Sequence, residues 1–299
     1  MYECPASGTR RLDSSPLQQA TPPPSATSSS DPVRFGFGEN WQRFLSVLDE
    51  ERITEAERNF RTMLEVDRLD GRTFLDIGSG SGLSSLVAMR LGAERVHSFD
   101  YDAESVACTR ELKRRFYPDK ETWTVGRGDV TDARYIDSLG TFDTVYSWGV
   151  LHHTGAMWHA LENTCGAVGP EGLLWISIYN DQGLQSRVWR TVKRTYNRLR
   201  PELRLPFLVL ASAPLELRSI AGSLVARDPG AYVRSWTQPR LRGMSRWHDL
   251  VDWIGGYPFE VAKPEEVFEF CRERGFVLQK LVTAGGGLGT NQFVFRRTA

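Results

Sequence analysis

Three glycines at alternate positions, Gly78, Gly80 and Gly82, follow directly on the apolar run Thr73–Ile77, which carries Asp76 near its end. Glycine suits such a bend because a side chain would block close approach of the backbone to a ligand. A dinucleotide site spaces its glycines G-x-G-x-x-G and seats a phosphate on the helix that follows; here the third glycine comes one residue early. Asp76 would repel a pyrophosphate and attract an ammonium group. The chain therefore favours a nucleoside carrying an amine over one carrying phosphates. Asp100, 24 positions after Asp76, is an acid able to accept hydrogen bonds from both hydroxyls of a ribose. His152 and His153 offer a second kind of chemistry, because histidine titrates near working pH and is the commonest general base.

The elements that must hold these groups are legible in the hydropathy pattern. Past the bend a helical pattern starts at Leu83 and runs through Leu86, Val87 and Leu91. Strand, Gly-rich turn and helix together form the first unit of a nucleotide-binding α/β sheet. Arg95–Asp100, Trp123–Val125, Phe142–Ser147 and Gly172–Ile178 read as strands two to five, and their alternation with helices implies a parallel sheet covered on both faces. Ahead of them, from Asn40, apolar residues recur at helical intervals through Trp41, Phe44, Leu45, Phe60 and Leu64. Near the end, Pro264–Arg274 reads as a helix opened by proline, with Glu265 and Glu266 suited to its dipole. Val277–Val282 and Gln292–Arg296 are the last two strands.

From Asp76 to Gly82 the chain resembles the class I S-adenosylmethionine (SAM)-dependent methyltransferases, whose first motif reads D-x-G-x-G-x-G. Gly128-Asp129-Val130 is similar to the family motif whose acid receives the adenine amino group, and Tyr101 joins Asp100 among the cofactor residues. Trp148-Gly-Val-Leu-His-His153 looks like the segment that lines the methyl-donor pocket of small-molecule methyltransferases. The resemblance covers roughly 35–299, is strongest over 73–153, and lies nearest the ubiquinone and menaquinone methylases. It implies a Rossmann-like, doubly wound seven-stranded sheet in order 3-2-1-4-5-7-6, with strand seven antiparallel. It also implies methyl transfer from SAM to an oxygen or nitrogen of a small molecule. A lipophilic quinol or phenol at a membrane surface, or cyclisation of the aminobutyrate arm of SAM, would need the same motifs. His153 is preferred over His152 as base because in the family the first His of such a pair often lies nearer the cofactor; alternatively both are packing residues. His248 is a second base candidate.

Bulk properties agree with a soluble cytoplasmic enzyme. Formal charge is zero and the pI near neutral, so no nucleic-acid partner is expected from the whole chain. Cys4, Cys108, Cys165 and Cys271 include no C-x-x-C pair, which argues against a zinc site or a disulfide framework. Residues 1–32 form a Ser/Thr/Pro-rich tail that reads as disordered; the folded domain is expected over 33–299.

Between strand five and the helix at Pro264 lie roughly 85 residues, far more than a usual connection. Residues 181–245 hold twelve Lys/Arg against four Asp/Glu. Val188, Trp189, Val192, Thr195, Tyr196 and Leu199 read as the apolar face of a helix, with Arg187, Arg190, Lys193, Arg194 and Arg198 elsewhere around it. Leu205–Leu215 is an uncharged run of 11 residues, too short to span a bilayer. This insertion serves as a lid, as a peripheral membrane contact through 187–226, or as a packing and homodimer surface. Tyr179, Asn180, Trp247 and Asn291 are candidate substrate residues. Trp41 either walls the pocket or caps the sheet. The loop Gly285–Asn291 lacks the Lys of a phosphate-cradling loop and should lie on the ligand side.

Overall fold

A computed structural model describes residues 38–237 and 246–298 of the 299. The expected tail lies outside the described residues. Apolar periodicity between Asn40 and Leu64 resolves into two helices, α1 (Gly38–Val47) and α2 (Glu50–Leu64). Asp49 causes the break: its carboxylate accepts from the Arg52 N–H at 2.9 Å and caps α2.

Seven strands follow: β1 (Thr73–Ile77), β2 (Arg95–Asp100), β3 (Trp123–Arg127), β4 (Phe142–Trp148), β5 (Val168–Tyr179), β6 (Phe276–Val282) and β7 (Thr290–Arg297). They form one sheet in the order β3-β2-β1-β4-β5-β7-β6, parallel except for β7, which runs antiparallel to both neighbours. This is the doubly wound Rossmann-like sheet of the sequence expectation. Helices α3 (Leu83–Arg90), α4 (Ala103–Phe116), α5 (Ala133–Leu139), α6 (Met157–Gly166) and α11 (Pro264–Arg272) link or flank the strands. One apolar cluster centres on Leu75, Ile77, Val145 and Phe293 and another on Phe74, Val96, Trp123 and Trp175. The alternation of neighbours along β1 sends Phe74 to one and Leu75 to the other, as strand geometry requires. β5 begins four residues before its expected start, and its pairing with β4 slips between Phe142 and Thr144. Glu171, at φ 57°, lies in this irregular stretch.

The insertion builds four helices: α7 (Leu184–Arg198), α8 (Pro201–Val225), α9 (Gly230–Thr237) and α10 (Arg246–Gly255). They make a third core from Trp189, Tyr196, Leu208, Leu250, Ile254 and Phe259, against which Tyr179 and Leu288 of the sheet edge pack. Two expectations are corrected here. The buried face of α7 is Ser186, Trp189, Lys193 and Tyr196, whereas Val188 and Thr195 face solvent. Lys193 belongs inside because aromatic rings and a carbonyl receive its ammonium. Leu205–Leu215 is the middle of a 25-residue helix that is long and apolar enough, by length and composition, to cross a bilayer. Arg204, Glu216 and Arg218 interrupt the run in sequence without ending the helix.

Candidate active site

The carboxyl ends of the parallel strands open into a cavity of about 870 Å³, where open α/β sheets take their ligands. Along the sheet order its wall passes from Asp129 after β3 to Asp100 at the end of β2, Gly78 after β1, Trp148 at the end of β4 and Tyr179 at the end of β5. Leu288, Gly289 and Thr290 close the β7 side, and the insertion contributes Leu215, Glu216, Arg246, Leu250, Trp253 and Tyr257.

The glycine bend is shaped by contact. A Cβ on Gly78 (φ 73°) would sit 2.3 Å from Val150, and one on Gly80 (φ 54°) 2.8 Å from the Trp41 ring. Trp41 is a cavity wall, while Gly80 and Gly82 lie behind it, Gly82 as the N-cap of α3. Asp100 faces the cavity with one oxygen accepting from the Gly80 N–H at 3.0 Å and the other from the Asp102 N–H at 2.9 Å. Burial raises its pKa to about 6 against the pull of those backbone donors. Tyr101 lines the wall beside it, with Arg127 above its ring at 5.8 Å. Asp129 accepts at Oδ1 from the Thr131 N–H (2.8 Å) and hydroxyl (2.7 Å). Gly128 and Val130 line the wall around it.

Asp76 occupies a different place from the one its motif suggested. Its carboxylate is buried and accepts from the Ser85 hydroxyl at 2.5 Å, and it is not a cavity residue. Ser85 uses its one proton on Asp76, so Ser98, which accepts from the Trp123 indole at 2.9 Å, donates to Ser85 at 2.6 Å. Burial, opposed by Ser85, pushes Asp76 up to about 7.

The histidine pair sits on a short 3₁₀ turn, Leu151–His153, immediately after β4, and both rings line the cavity. His152 Nδ1 accepts from the Tyr179 N–H at 3.3 Å, which puts its proton on Nε2; among the described residues that buried nitrogen has no hydrogen-bond partner. His153 is the opposite tautomer. Its Nδ1 donates to the Pro258 carbonyl at 2.6 Å, so the ring's lone pair is on Nε2. Burial holds His153 down to about 3 and His152 well below the ordinary value, with the Lys193 charge adding to both.

Lys193, which the sequence pattern had put on the polar side, is fully buried. Its ammonium donates to the Trp253 carbonyl and lies 4.3 Å from the Trp253 ring, 4.8 Å from Phe259 and 5.8 Å from Tyr179. Glu216 and Arg246 were also missed. Arg246 grips both Glu216 oxygens at 2.9 to 3.0 Å and donates to Ser235 at 2.6 Å, while the Tyr232 hydroxyl donates to Glu216 at 2.8 Å. A lone acid in the otherwise apolar middle of α8 was the available signal.

Asn180 and Asn291 stay out of the wall. The Asn291 amide donates to Asn180 at 3.1 Å and its carbonyl accepts from Ala284 at 3.0 Å, which ties the glycine loop to the end of β5. Trp247 lies on α10 away from the cavity wall. His248 belongs to the same helix, and its side chain lies outside the described ones.

Residues 75–176 match the protein-family model described as "Methyltransferase domain". A stretch of 45 residues is 47% identical to the ribosomal protein L11 methyltransferase of Alteromonas mediterranea and covers 15% of each chain. A stretch of 93 residues is 33% identical to the tRNA U34 carboxymethyltransferase of Pseudoalteromonas translucida, covering 31% of this chain and 27% of that one. The chain thus spans less than a third of either relative's length. Magnesium protoporphyrin IX methyltransferase from Synechocystis PCC 6803, solved with bound SAH, superposes with a TM-score of 0.50 at 14% identity, over 87% of this chain and 94% of that one. At such identity the likeness speaks for the fold. The family match spans the glycine bend, the three acids and the histidine pair, and it stops inside β5; the insertion falls outside it.

Proposed function

We infer that this chain, which carries a methyltransferase domain over residues 75–176, transfers a methyl group from SAM to an oxygen or nitrogen of a small-molecule acceptor. One observation supports the cofactor reading above the others. The Gly80 N–H, which a phosphate-binding turn would point at its ligand, is bonded to the Asp100 carboxylate. A turn occupied in this way suits a ligand that brings hydroxyl donors and positive charge, and disfavours a pyrophosphate. Space agrees, since 870 Å³ falls in the upper part of the roughly 300–1,000 Å³ that ligand sites occupy.

SAM, when bound, supplies a sulfonium-activated methyl carbon open to in-line displacement. Asp100 accepts from the ribose hydroxyls and Asp129 from the adenine amine, with Trp41, Tyr101 and Trp148 as the apolar walls. The acceptor lies towards Tyr179, Trp253, Tyr257 and Leu288. Aligning two reactants in this way is worth up to about 7–11 kcal/mol in the best intramolecular systems. His153 receives the acceptor's proton on Nε2. Because burial keeps that ring neutral far below physiological pH, it is ready to accept but weakly basic, which suits an acidic hydroxyl such as a phenol better than an alcohol.

A lipophilic acceptor is the version of this reading that α8 favours: Leu215 and Glu216 of that helix form cavity wall, while its opposite side is apolar and exposed. The acceptors in the relatives' names, a ribosomal protein and a tRNA, belong to those proteins. Titration calorimetry with SAM, SAH and NAD tests the cofactor. Heat from the first two alone is expected, and heat from NAD alone would remove the reading. Comparing metabolites with and without the protein, for pairs that differ by one methyl group, identifies the acceptor.

A further inference from the structure

Helix α8 presents a side that nothing in the described chain covers. Leu203, Leu210, Leu217 and Leu224 recur every seven residues, a spacing that keeps them on one stripe, and they are 51%, 73%, 66% and 59% exposed. Pro206, Val209 and Pro214 lie exposed among them, and Val225 extends the stripe to the helix end. On the other side Leu208, Ser212 and Ser223 are buried and Leu215 and Glu216 meet the cavity. α8 packs against α7, α9 and α10 and places Leu208 in the third core, so it lies along the domain. Around the stripe the charge has one dominant sign. Arg200 and Arg227 border α8 at its two ends, Arg218 lies exposed within it, and Arg187, Arg194 and Arg198 are exposed on the neighbouring α7, against one exposed acid, Glu202, in the first turn of α8. The sequence 181–245 carries twelve basic residues against four acidic ones in a chain of zero net charge.

We propose that α8 seats this protein on an anionic lipid bilayer surface, with the leucine stripe among the acyl chains and the surrounding arginines among the headgroups. An apolar stripe edged by arginine is the composition of helices that lie in the membrane interface. Two other occupants match it less well. A second copy pairing through this face would set one basic surface against another, which like charges oppose. Residues 1–37 bring Met1, Tyr2, Leu12, Leu17, Val33, Phe35 and Phe37 as their large apolar side chains, the last three within five residues of α1, which leaves four for a stripe along 25 residues. The proposal stands apart from the methyl-transfer reading, because the attachment needs neither cofactor nor acceptor.

The test is co-sedimentation of the full chain with vesicles of phosphatidylcholine alone and of phosphatidylcholine with about a third phosphatidylserine, at low and high salt. Strong enrichment on the anionic vesicles is expected, falling with salt, with little on the neutral ones. L210E/L217E alters two exposed side chains away from the cavity and should reduce binding at least tenfold. R194Q/R198Q should reduce it roughly fivefold per arginine removed. Unchanged circular dichroism in both variants shows that the fold is kept. Equal sedimentation with and without vesicles would overturn the proposal. So would self-association that L210E/L217E abolishes while vesicles recruit no protein, since that assigns the face to a second copy.

Discussion

The two halves of the cavity are built on different principles. Between β3 and β1 its wall consists of short turns at strand ends, where Asp100 and Asp129 are held by backbone N–H groups two to four residues beyond a strand. Between β5 and α10 the wall is held by partners far apart in the chain, as His153 is by the Pro258 carbonyl 105 residues away. The first half coincides with the stretch that matches a family model and the second mostly does not. Local backbone geometry can carry one ligand site through divergent sequences. Packing of a long insertion can be remade, and with it the acceptor.

Breaking one half should leave the other standing. His153→Ala is expected to cost 10²–10⁴-fold in methyl-transfer rate with a hydroxyl acceptor, the usual span for a general base, while calorimetric SAM affinity stays within a few-fold. Asp100→Ala should do the reverse. It removes a carboxylate that holds two backbone donors, and at about 1.5–3 kcal/mol for a hydrogen bond to a charged group the SAM Kd should rise by at least tenfold. Glu216→Ala leaves the nearly buried Arg246 without its carboxylate, a loss of about 3 kcal/mol. Faster hydrogen exchange in α8 and α10, with β1 to β4 unchanged, is the expected signature.

The same contrast has a pH dependence. Asp76 titrates near 7 when folded and near 4 when unfolded, so between those values the unfolded chain has lost its proton and the folded one has kept it. Its contribution to stability is therefore complete below about pH 4 and declines as pH rises through 7. Asp76→Asn should flatten that decline, measured as Tm from pH 5 to 8. The smallest effect concerns Lys193→Met. Without that buried charge the His152 and His153 titrations should move upward, seen by NMR of the ring protons.

Chain order carried the strands. They were short runs rich in apolar residues, and their alternation with helical patterns implied a parallel sheet; the order 3-2-1-4-5-7-6, with strand seven antiparallel, was what the resemblance to the SAM-dependent methyltransferases implied. The glycine bend and the positions of Asp100, Asp129 and His153 were legible for the same reason: they lie within a few residues of a strand end, so spacing places them. Only tertiary structure decided what surrounds each group. Asp76 turned from the ligand side to Ser85 because a hydroxyl of α3 reaches it in the core. Lys193, charged and expected in water, went inside because three rings from distant segments and a Trp253 carbonyl meet there. Local interactions are written in neighbouring residues. Burial and partnership across a hundred residues are properties of the packed molecule, and no short window of sequence contains them.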